Sequence, residues 1–282
     1  MSPVQYLRSV GAVVWLGIYH DIAWTSPVAG IILLSVAPTA SAMTTSIIYW
    51  LGASHAGSFE SSKLAYVLVG AVLYAHIAAY AYAPTLAIAE GKNLSIFQHV
   101  YISPKSSELY LAGRTIASFL ISFGTSMIAL ILADLVLSHL LHTTIPLIET
   151  PESVLLLIAA LFLNVPAALG LGYLLGSYSL FASKFEWALP SYVAGILMVF
   201  SGALFPPSIL PWPLSAFGNG LPFTQFISAA RDAIIFGSIS SYITALEYSF
   251  VEGVFLLGAS LLIYRASAKK ARSEGVIDRR LA

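Results

Sequence analysis

Long apolar stretches without charge recur along the sequence. One of them runs from Leu64 to Ala89, between Lys63 and Glu90, and contains no charged residue. An α-helix of about 20 apolar residues is long enough to cross the hydrocarbon core of a bilayer. Charged residues make up only 9% of the chain, whereas soluble domains carry about 25%. The sequence therefore excludes a soluble enzyme and predicts an integral membrane protein.

The same length criterion predicts an all-α fold with six transmembrane helices. The predicted spans are 28–50, 64–89, 115–137, 154–180, 187–204 and 243–264. Residues 1–22 are predicted to form an interfacial helix, because their apolar run is too short for a span and places Val10 and Val14 on one face. Residues 265–282 follow the last span as a basic tail. Residues 1–282 are thus predicted to form a single transmembrane domain.

A small-residue motif lies within the fourth predicted span. Gly172 and Gly176 are four residues apart, so they share one face of a helix. Small residues at this spacing let two membrane helices approach closely. The motif predicts tight packing of the fourth span against a neighbour.

A proline-rich segment separates the last two predicted spans. Residues 206–230 are too apolar for an ordinary water-exposed loop, and Pro206, Pro211 and Pro222 prevent one continuous helix. Irregular backbone at membrane depth is tolerated where protein surrounds it. We therefore expect a re-entrant hairpin between spans five and six, on the outer side of the membrane.

The distribution of basic residues predicts the orientation of the chain. An even number of spans places both termini on one side, and cytoplasmic loops are enriched in Lys and Arg. With the termini inside, only Lys63 and Arg231 of the 13 basic residues lie outside. The expected location is the cell membrane with both termini cytoplasmic. Because 13 acidic residues balance the basic ones, nucleic acid is not an expected partner.

The sequence lacks the common motifs for nucleotide binding and hydrolysis. It contains no Gly-x-x-x-x-Gly-Lys-[Ser/Thr], so this chain is not expected to bind ATP. His-Glu-x-x-His and Gly-x-Ser-x-Gly are absent too, as is cysteine. His139 and His142 fall at the predicted water interface, where polar residues are ordinary, and no metal or other cofactor is predicted. The chain is therefore not expected to be an enzyme.

Three carboxylates fall within or near the predicted hydrocarbon region: Asp134, Glu247 and Glu252. Ionisable residues at such depth are costly and often belong to a proton or ion pathway. The other interpretation is solvation at the interface or pairing with Arg231, since each carboxylate falls toward the outer end of its span. Glu252 is the best candidate for an inward-facing polar contact.

The loop between spans two and three contains a short amphipathic segment. Leu94, Phe97, Val100 and Tyr101 follow the spacing i, i+3, i+6 and i+7, which predicts one apolar face on a helix. Such a face could dock in a cleft of a partner protein or lie on the lipid headgroups. The residue pattern alone leaves both interpretations open.

Two segments resemble one family of membrane proteins. The loop from Glu90 to Pro104, followed by the sequence Leu109-Tyr-Leu-Ala-Gly-Arg114, resembles the cytoplasmic loop of type-2 ABC exporter permeases. That family includes drug-resistance and polysaccharide-export subunits. The segment Ser201-Gly-Ala-Leu-Phe-Pro206, with Leu221-Pro222 and Ala229-Ala-Arg231 downstream, is similar to the signature between the last two spans of the same family.

The resemblance implies the membrane subunit of an ATP-driven exporter for a lipid-like, drug-like or glycan substrate. It implies a second permease copy or paralogue as partner, and two ABC ATP-binding subunits that hold ATP and Mg. Spans one, two and five would face the substrate. The implied ATPase-coupling residues are Glu90, Leu94, Phe97, Gln98, Val100, Tyr101 and Pro104. The implied residues of the outer gate are Gly202, Phe205, Pro206, Pro211, Pro222 and Arg231.

Two other functions stay open at this point. One is an ion-coupled secondary transporter that uses Asp134, Glu247 or Glu252 as a proton carrier. The absence of Gly- or Pro-interrupted helices at matching positions of two halves argues against it. The other is an assembly or scaffold subunit without transport.

Overall fold

The computed structural model describes residues 3–22, 26–94, 96–102, 107–147, 150–182, 188–236 and 238–275. Within these ranges all regular structure is helical. In chain order the helices are α1 (Pro3–Ile22), α2 (Pro27–His55), α3 (Ser61–Asn93), α4 (Ile96–Ile102), α5 (Ser107–Leu141), α6 (Pro151–Leu163), α7 (Val165–Ser179), α8 (Ala188–Phe200), α9 (Leu214–Asn219), α10 (Pro222–Arg231) and α11 (Ile239–Ser273).

Five helical segments are long and apolar enough to cross a membrane. They are α2, α3, α5, α11 and the pair α6 and α7, which meet at Asn164. The shortest of these segments has 29 residues, or about 44 Å of helix, against a hydrocarbon core of about 30 Å. Each covers all or nearly all of one predicted span. The prediction of an all-helical fold is confirmed, and these five segments fit a multi-pass membrane protein.

The fifth predicted span, 187–204, corresponds to a shorter helix. Helix α8 has 13 residues, which is about 20 Å of helix and less than a bilayer core. The chain leaves the helix after Phe200, because Gly202 takes a φ of +73° and Pro206 has no backbone N–H. Six full-length spans are therefore not confirmed.

Helix α8 lies against the middle of α3. The Tyr82 hydroxyl donates a hydrogen bond to Ser191 Oγ at 3.0 Å, and the Tyr74 hydroxyl donates to the Ala194 carbonyl at 3.1 Å. The two helices run in opposite directions, because the contacts move from Tyr82 back to Tyr74 along α3 as they move from Ser191 forward to Ala194 along α8. The short helix is thereby fixed beside a candidate span.

Helix α1 packs lengthwise along α5. Val13 lies against Gly113, and Gly17 lies against Ala117 and the Arg114 side chain, so the contacts advance along both helices together. The predicted interfacial helix would instead lie in the plane of the membrane surface, across the ends of the spans. The orientation expected for residues 1–22 is therefore not found, because close contacts hold α1 along the candidate span α5.

The prediction from Gly172 and Gly176 is confirmed. A Cβ at Gly172 would lie 2.6 Å from Thr115 Oγ1, and one at Gly176 would lie 2.9 Å from Leu111 Cδ1. Helix α7 therefore approaches α5 more closely than side chains at these positions would allow.

The two ends of the bundle contain the two segments singled out from the sequence. The loop end contains α4, the beginning of α5 and the end of α11, and a cluster of buried apolar side chains that includes Ile88, Leu111 and Tyr264. The hairpin end contains a 3-10 turn at Pro207–Ile209, α9, α10 and a π-helical turn at Asp232–Phe236. Helix α3 runs from the hairpin end to the loop end.

Candidate functional site

Helix α4 is held against the loop end by one aromatic side chain. Phe97 is 0% exposed and belongs to the apolar cluster with Ile88 and Leu111. Its ring centroid lies 6.3 Å from that of Tyr110, in an edge-to-face arrangement. Because Ile88 is on α3 and Leu111 is on α5, Phe97 connects α4 to both of these long helices.

The apolar stripe predicted on α4 is divided between two surroundings. Of the stripe residues, Leu94 is 65% exposed, whereas Val100 is half-buried. Ile96, which was not part of the predicted stripe, is 47% exposed. Phe97 is buried in this bundle, which corrects the expectation that its side chain is available to a partner. The structure describes the backbone of Gln98 and Tyr101 but not their side chains, and Pro104 lies outside the described residues. Among the side chains that the structure describes here, Ile96 and His99 are exposed on α4, and Leu94 is exposed just before it, at the end of α3.

A buried arginine joins three helices next to α4. The Arg114 side chain is 8% exposed, and its Nη2 lies 3.5 Å from Asp21 Oδ1 and 3.9 Å from Glu90 Oε2. Asp21 is on α1, Glu90 is on α3 and Arg114 is on α5. The predicted coupling residue Glu90 is half-exposed and lies beside this cation. A displacement of α3 at this point would also change the surroundings of α1 and α5.

A second buried cation of the loop end was not singled out from the sequence. Lys92 is 4% exposed, and its Nζ donates hydrogen bonds to the carbonyl oxygens of Ser179 and Leu180 at 2.8 Å and of Ala182 at 3.3 Å. The last carbonyls of a helix lack partners within the helix, and a cation there is favourable. Lys92 therefore ties the end of α3 to the end of α7. A lone lysine in the last turn of an apolar helix is the signal that could have identified it.

At the edge of the loop end, α5 and α11 are joined by an ion pair. Arg265 Nε and Nη2 each donate to one carboxylate oxygen of Glu108, both at 3.0 Å. The arginine is largely exposed, so this pair contributes little free energy on its own.

At the hairpin end, Arg231 binds the backbone of two other segments. Its Nε donates to the Tyr66 carbonyl at 3.2 Å, its Nη1 donates to the Gly202 carbonyl at 2.7 Å, and its Nη2 donates to the Ala203 carbonyl. The guanidinium also lies over the Tyr66 ring, with Cζ 3.4 Å from the ring centroid. Arg231 therefore fixes α10 to α3 and to the turn after α8.

The other residues of the implied outer gate differ in their surroundings. Gly202 and Pro206 line a small cavity of about 200 Å³ together with Arg231. Pro222 is buried in the first turn of α10, whereas Phe205 is half-buried and Pro211 is exposed. The structure brings Gly202, Pro206 and Arg231 together, and it places Pro211 at the surface.

Asp232 follows Arg231 and is largely buried. Burial raises the pKa of its carboxyl, and a hydrogen bond from the Ser241 hydroxyl to Oδ2 opposes that shift. The contact joins the π-helical turn to the first turn of α11.

The three carboxylates considered as proton carriers are not joined to one another by any described hydrogen bond or ion pair. Glu247 is exposed, and Asp134 accepts a hydrogen bond from Ser138 Oγ at 3.2 Å, one turn further along α5. Glu252 is half-buried, and its Oε2 is buried without a hydrogen-bond partner. The expected pairing with Arg231 is not found, because its three nitrogens bind carbonyl oxygens.

A buried polar cluster near the middle of the bundle was also missed at the level of sequence. His76 is 0% exposed, and its Nδ1 lies 2.8 Å from Ser122 Oγ. Asn164 Nδ2 donates to the Tyr80 hydroxyl at 3.2 Å. The lone histidine of the second span was visible in the sequence, but its partners lie on other helices.

The histidine and carboxylate side chains were compared with the arrangement that a metal ion needs. In the part of the chain that the structure describes, no three His, Cys, Asp or Glu side chains come together as a metal site would need. The rings of His139 and His142 have centroids 6.4 Å apart.

Comparison with protein-family models and with curated proteins found no match to this chain. The assignment of a function therefore depends on the residues and contacts described above.

Proposed function

We propose that this chain is the membrane-spanning subunit of an ABC exporter, driven by separate ATP-binding subunits that carry ATP and Mg. The exported molecule would be lipid-like, drug-like or a glycan. The observation that supports this proposal best is the position of α4. This short helix lies between two candidate spans and is attached to both through Phe97, while its Ile96 and the preceding Leu94 are exposed.

In this proposal the ATP-binding subunit contacts the exposed face of α4 and moves it during the ATP cycle. Phe97 would transmit the displacement to α3 and α5, and Lys92 would transmit it to the end of α7. Arg114 would extend it to α1. A ligand can shift a conformational equilibrium only through different affinities for the two states, which ATP would provide at the partner subunit.

The proposal includes a topology with six crossings in the cell membrane and both termini cytoplasmic. Helix α8 and the turn that follows it would form the fifth crossing, since they extend along α3 from Tyr82 to Gly70. The loop end would then face the cytoplasm, and the hairpin end would form the outer gate. A second permease, identical or paralogous, would complete the transporter.

Site-specific photo-crosslinking in membranes of the native host tests this proposal. A photoreactive phenylalanine analogue at Leu94 should form an adduct with a protein that carries an ATP-binding motif. The same analogue at Leu51 should not form that adduct. Leu51 is exposed near the C-terminal end of α2, which leads into the hairpin end of α3. Equal adducts at both positions, or adducts with lipid alone, would contradict docking at α4.

One observation favours the alternative of ion-coupled transport, namely the buried and unpartnered Oε2 of Glu252. Ionisable side chains within membrane helices often belong to proton or ion pathways. Under the ABC proposal Glu252→Gln should leave transport intact, and under ion coupling it should abolish transport. Glu247→Gln is the matched control on the same helix, because Glu247 is exposed.

A further inference from the structure

A cavity of about 470 Å³ lies between α2, α3 and α5. Its volume is within the range of small-molecule sites in proteins. Leu34 and Ala79 belong to its lining and are exposed, and Ser118 in the same lining is half-buried. Since all three residues are on helices long enough to span a membrane, the open side of the cavity faces the region where lipid would surround the protein.

Most of the cavity wall is apolar, from alanine, proline, leucine and isoleucine side chains. Seven hydroxyl groups interrupt this surface, and they belong to Ser41, Tyr74, Tyr82, Ser118, Ser122, Thr125 and Ser126. One carboxyl group, that of Asp21, completes the lining. The wall therefore combines an apolar surface with a few polar groups, as small-molecule sites do.

Six of the seven hydroxyls already donate their protons within the protein. Tyr74 donates to the Ala194 carbonyl and Tyr82 to Ser191 Oγ, at 3.1 and 3.0 Å. On α5, Ser122 and Thr125 donate to backbone carbonyls at 3.1 and 3.2 Å, and Ser118 and Ser126 do so at the longer distances of 3.4 and 3.5 Å. Ser122 Oγ also lies 2.8 Å from His76 Nδ1, so part of its hydrogen-bonding capacity is already used. A hydroxyl that has donated its proton keeps oxygen lone pairs as acceptors. The cavity therefore offers mostly acceptors, which favour a ligand that supplies a hydrogen-bond donor.

The charge at the cavity edge favours a neutral ligand. Asp21 Oδ1 lies 3.5 Å from Arg114 Nη2 and 3.0 Å from His20 Nδ1. A ligand ammonium group bound to Asp21 would also lie close to the Arg114 guanidinium, and the two positive charges would repel each other. A hydroxyl group supplies a proton without charge, and an apolar chain matches the rest of the wall.

We propose that this cavity binds one neutral, lipid-borne alcohol, with its hydroxyl donating to the acceptor oxygens of α3 and α5 and its apolar body against α2. Such an alcohol falls within the lipid-like substrate class of the proposed exporter, and its role as cargo rests on that proposed function. Binding itself can be tested with this chain alone, without the ATP-binding subunit.

Photolabelling of the purified full-length chain in phosphatidylcholine nanodiscs tests this site. The probe is a long-chain alcohol with a diazirine on its alkyl chain, and the control is its methyl ether, which lacks the hydroxyl proton. The alcohol should label residues 74–82 and 118–126 at least several-fold more than the ether does. Unlabelled hexadecanol should suppress this labelling in a saturable way. Equal labelling by the two probes, or labelling confined to outward residues such as Ile131, would mean ordinary contact with surrounding lipid and overturn the proposal.

A cavity-filling variant provides a second test. Ala78→Phe places a ring in the cavity and should remove the saturable labelling by the alcohol. Ile131→Phe is the matched control, because Ile131 is exposed on α5 and does not line the cavity, and it should retain the labelling. Unchanged labelling of a folded Ala78→Phe protein would overturn the proposal. The comparison of alcohol with ether uses the unmodified chain and does not depend on the folding of the variant.

Discussion

The guanidinium of Arg231 lies over the ring of Tyr66, with Cζ 3.4 Å from the ring centroid, and its Nε donates to the carbonyl of the same tyrosine. The two residues are 165 positions apart in the chain. The remaining nitrogens of Arg231 bind the carbonyls of Gly202 and Ala203. One buried side chain therefore joins the hairpin, the turn after α8 and the beginning of α3. A desolvated cation–π contact contributes about 2 kcal/mol, in addition to the hydrogen bonds.

Arg231→Lys should loosen the hairpin end. A lysine ammonium cannot reproduce the planar arrangement of donors, so at least one carbonyl loses its partner. A hydrogen bond to a charged group contributes about 1.5–3 kcal/mol, and the free energy of unfolding should fall by about that amount. Hydrogen exchange of the backbone amides in residues 201–236 measures the effect directly. Arg265→Lys is the control, since that arginine is largely exposed and its replacement should cost less than about 1 kcal/mol.

Gly70→Ala should disturb the same contacts from the α3 side. A Cβ at this position would collide with the Ala203 carbonyl oxygen and with Arg231 Nη2. Both atoms are fixed, one in the backbone and one in a hydrogen-bonded side chain, so relief requires movement of the turn. We expect a lower melting temperature in detergent. Gly258→Ala should leave it unchanged or slightly higher, because a Cβ at Gly258 has no neighbour within 4 Å. Equal melting temperatures for the two variants would contradict this account.

Lys92→Met should destabilise the loop end. The apolar side chain retains most of the volume but leaves three carbonyl oxygens of the α7 end without their donor. An unsatisfied buried polar group costs about 1–3 kcal/mol. Lys63→Met is the matched control, because Lys63 is exposed and forms a surface ion pair with Glu60. Thermal unfolding of the two purified variants measures the difference in stability. Equal losses of stability would show that the hydrogen bonds of Lys92 contribute no more than the surface ion pair of Lys63.

Phe97→Ala should detach α4 from the bundle. Removing a fully buried phenylalanine costs about 3–5 kcal/mol, and this helix has only seven residues with which to compensate. Hydrogen exchange of residues 96–102 should accelerate strongly. Ile96→Ala, at a half-exposed position of the same helix, should leave exchange nearly unchanged. Protection of α4 in the Phe97 variant would mean that other contacts hold it.

The long apolar helices could be predicted because length and absence of charge are local properties of the sequence. The spacing of Gly172 and Gly176 likewise indicated a close helix contact that the structure contains. The extent of α8 was overestimated, because apolar composition continues past Phe200 while the backbone turns at Gly202.

The missed parts of the site depend on contacts between residues far apart in sequence. Helical spacing placed Leu94 and Phe97 on one face. The spacing could not show whether Phe97 contacts a partner protein or the bundle itself, and the structure buries it in the bundle. The roles of Lys92 and His76 depend on Ser179 and Ser122, which lie on other helices. The orientation of α1 depends in the same way on its contacts with α5.

If α4 receives force from an ATP-binding subunit, that subunit should co-purify with this chain in mild detergent from the native host. The unmodified chain and Leu51→Asp should co-elute with a protein that has vanadate-sensitive ATPase activity. Ile96→Asp, which places a charge on the exposed face of α4, should lose that protein while remaining folded. Elution of the unmodified chain as a homo-oligomer without ATPase activity would contradict this role of α4 and favour ion-coupled transport.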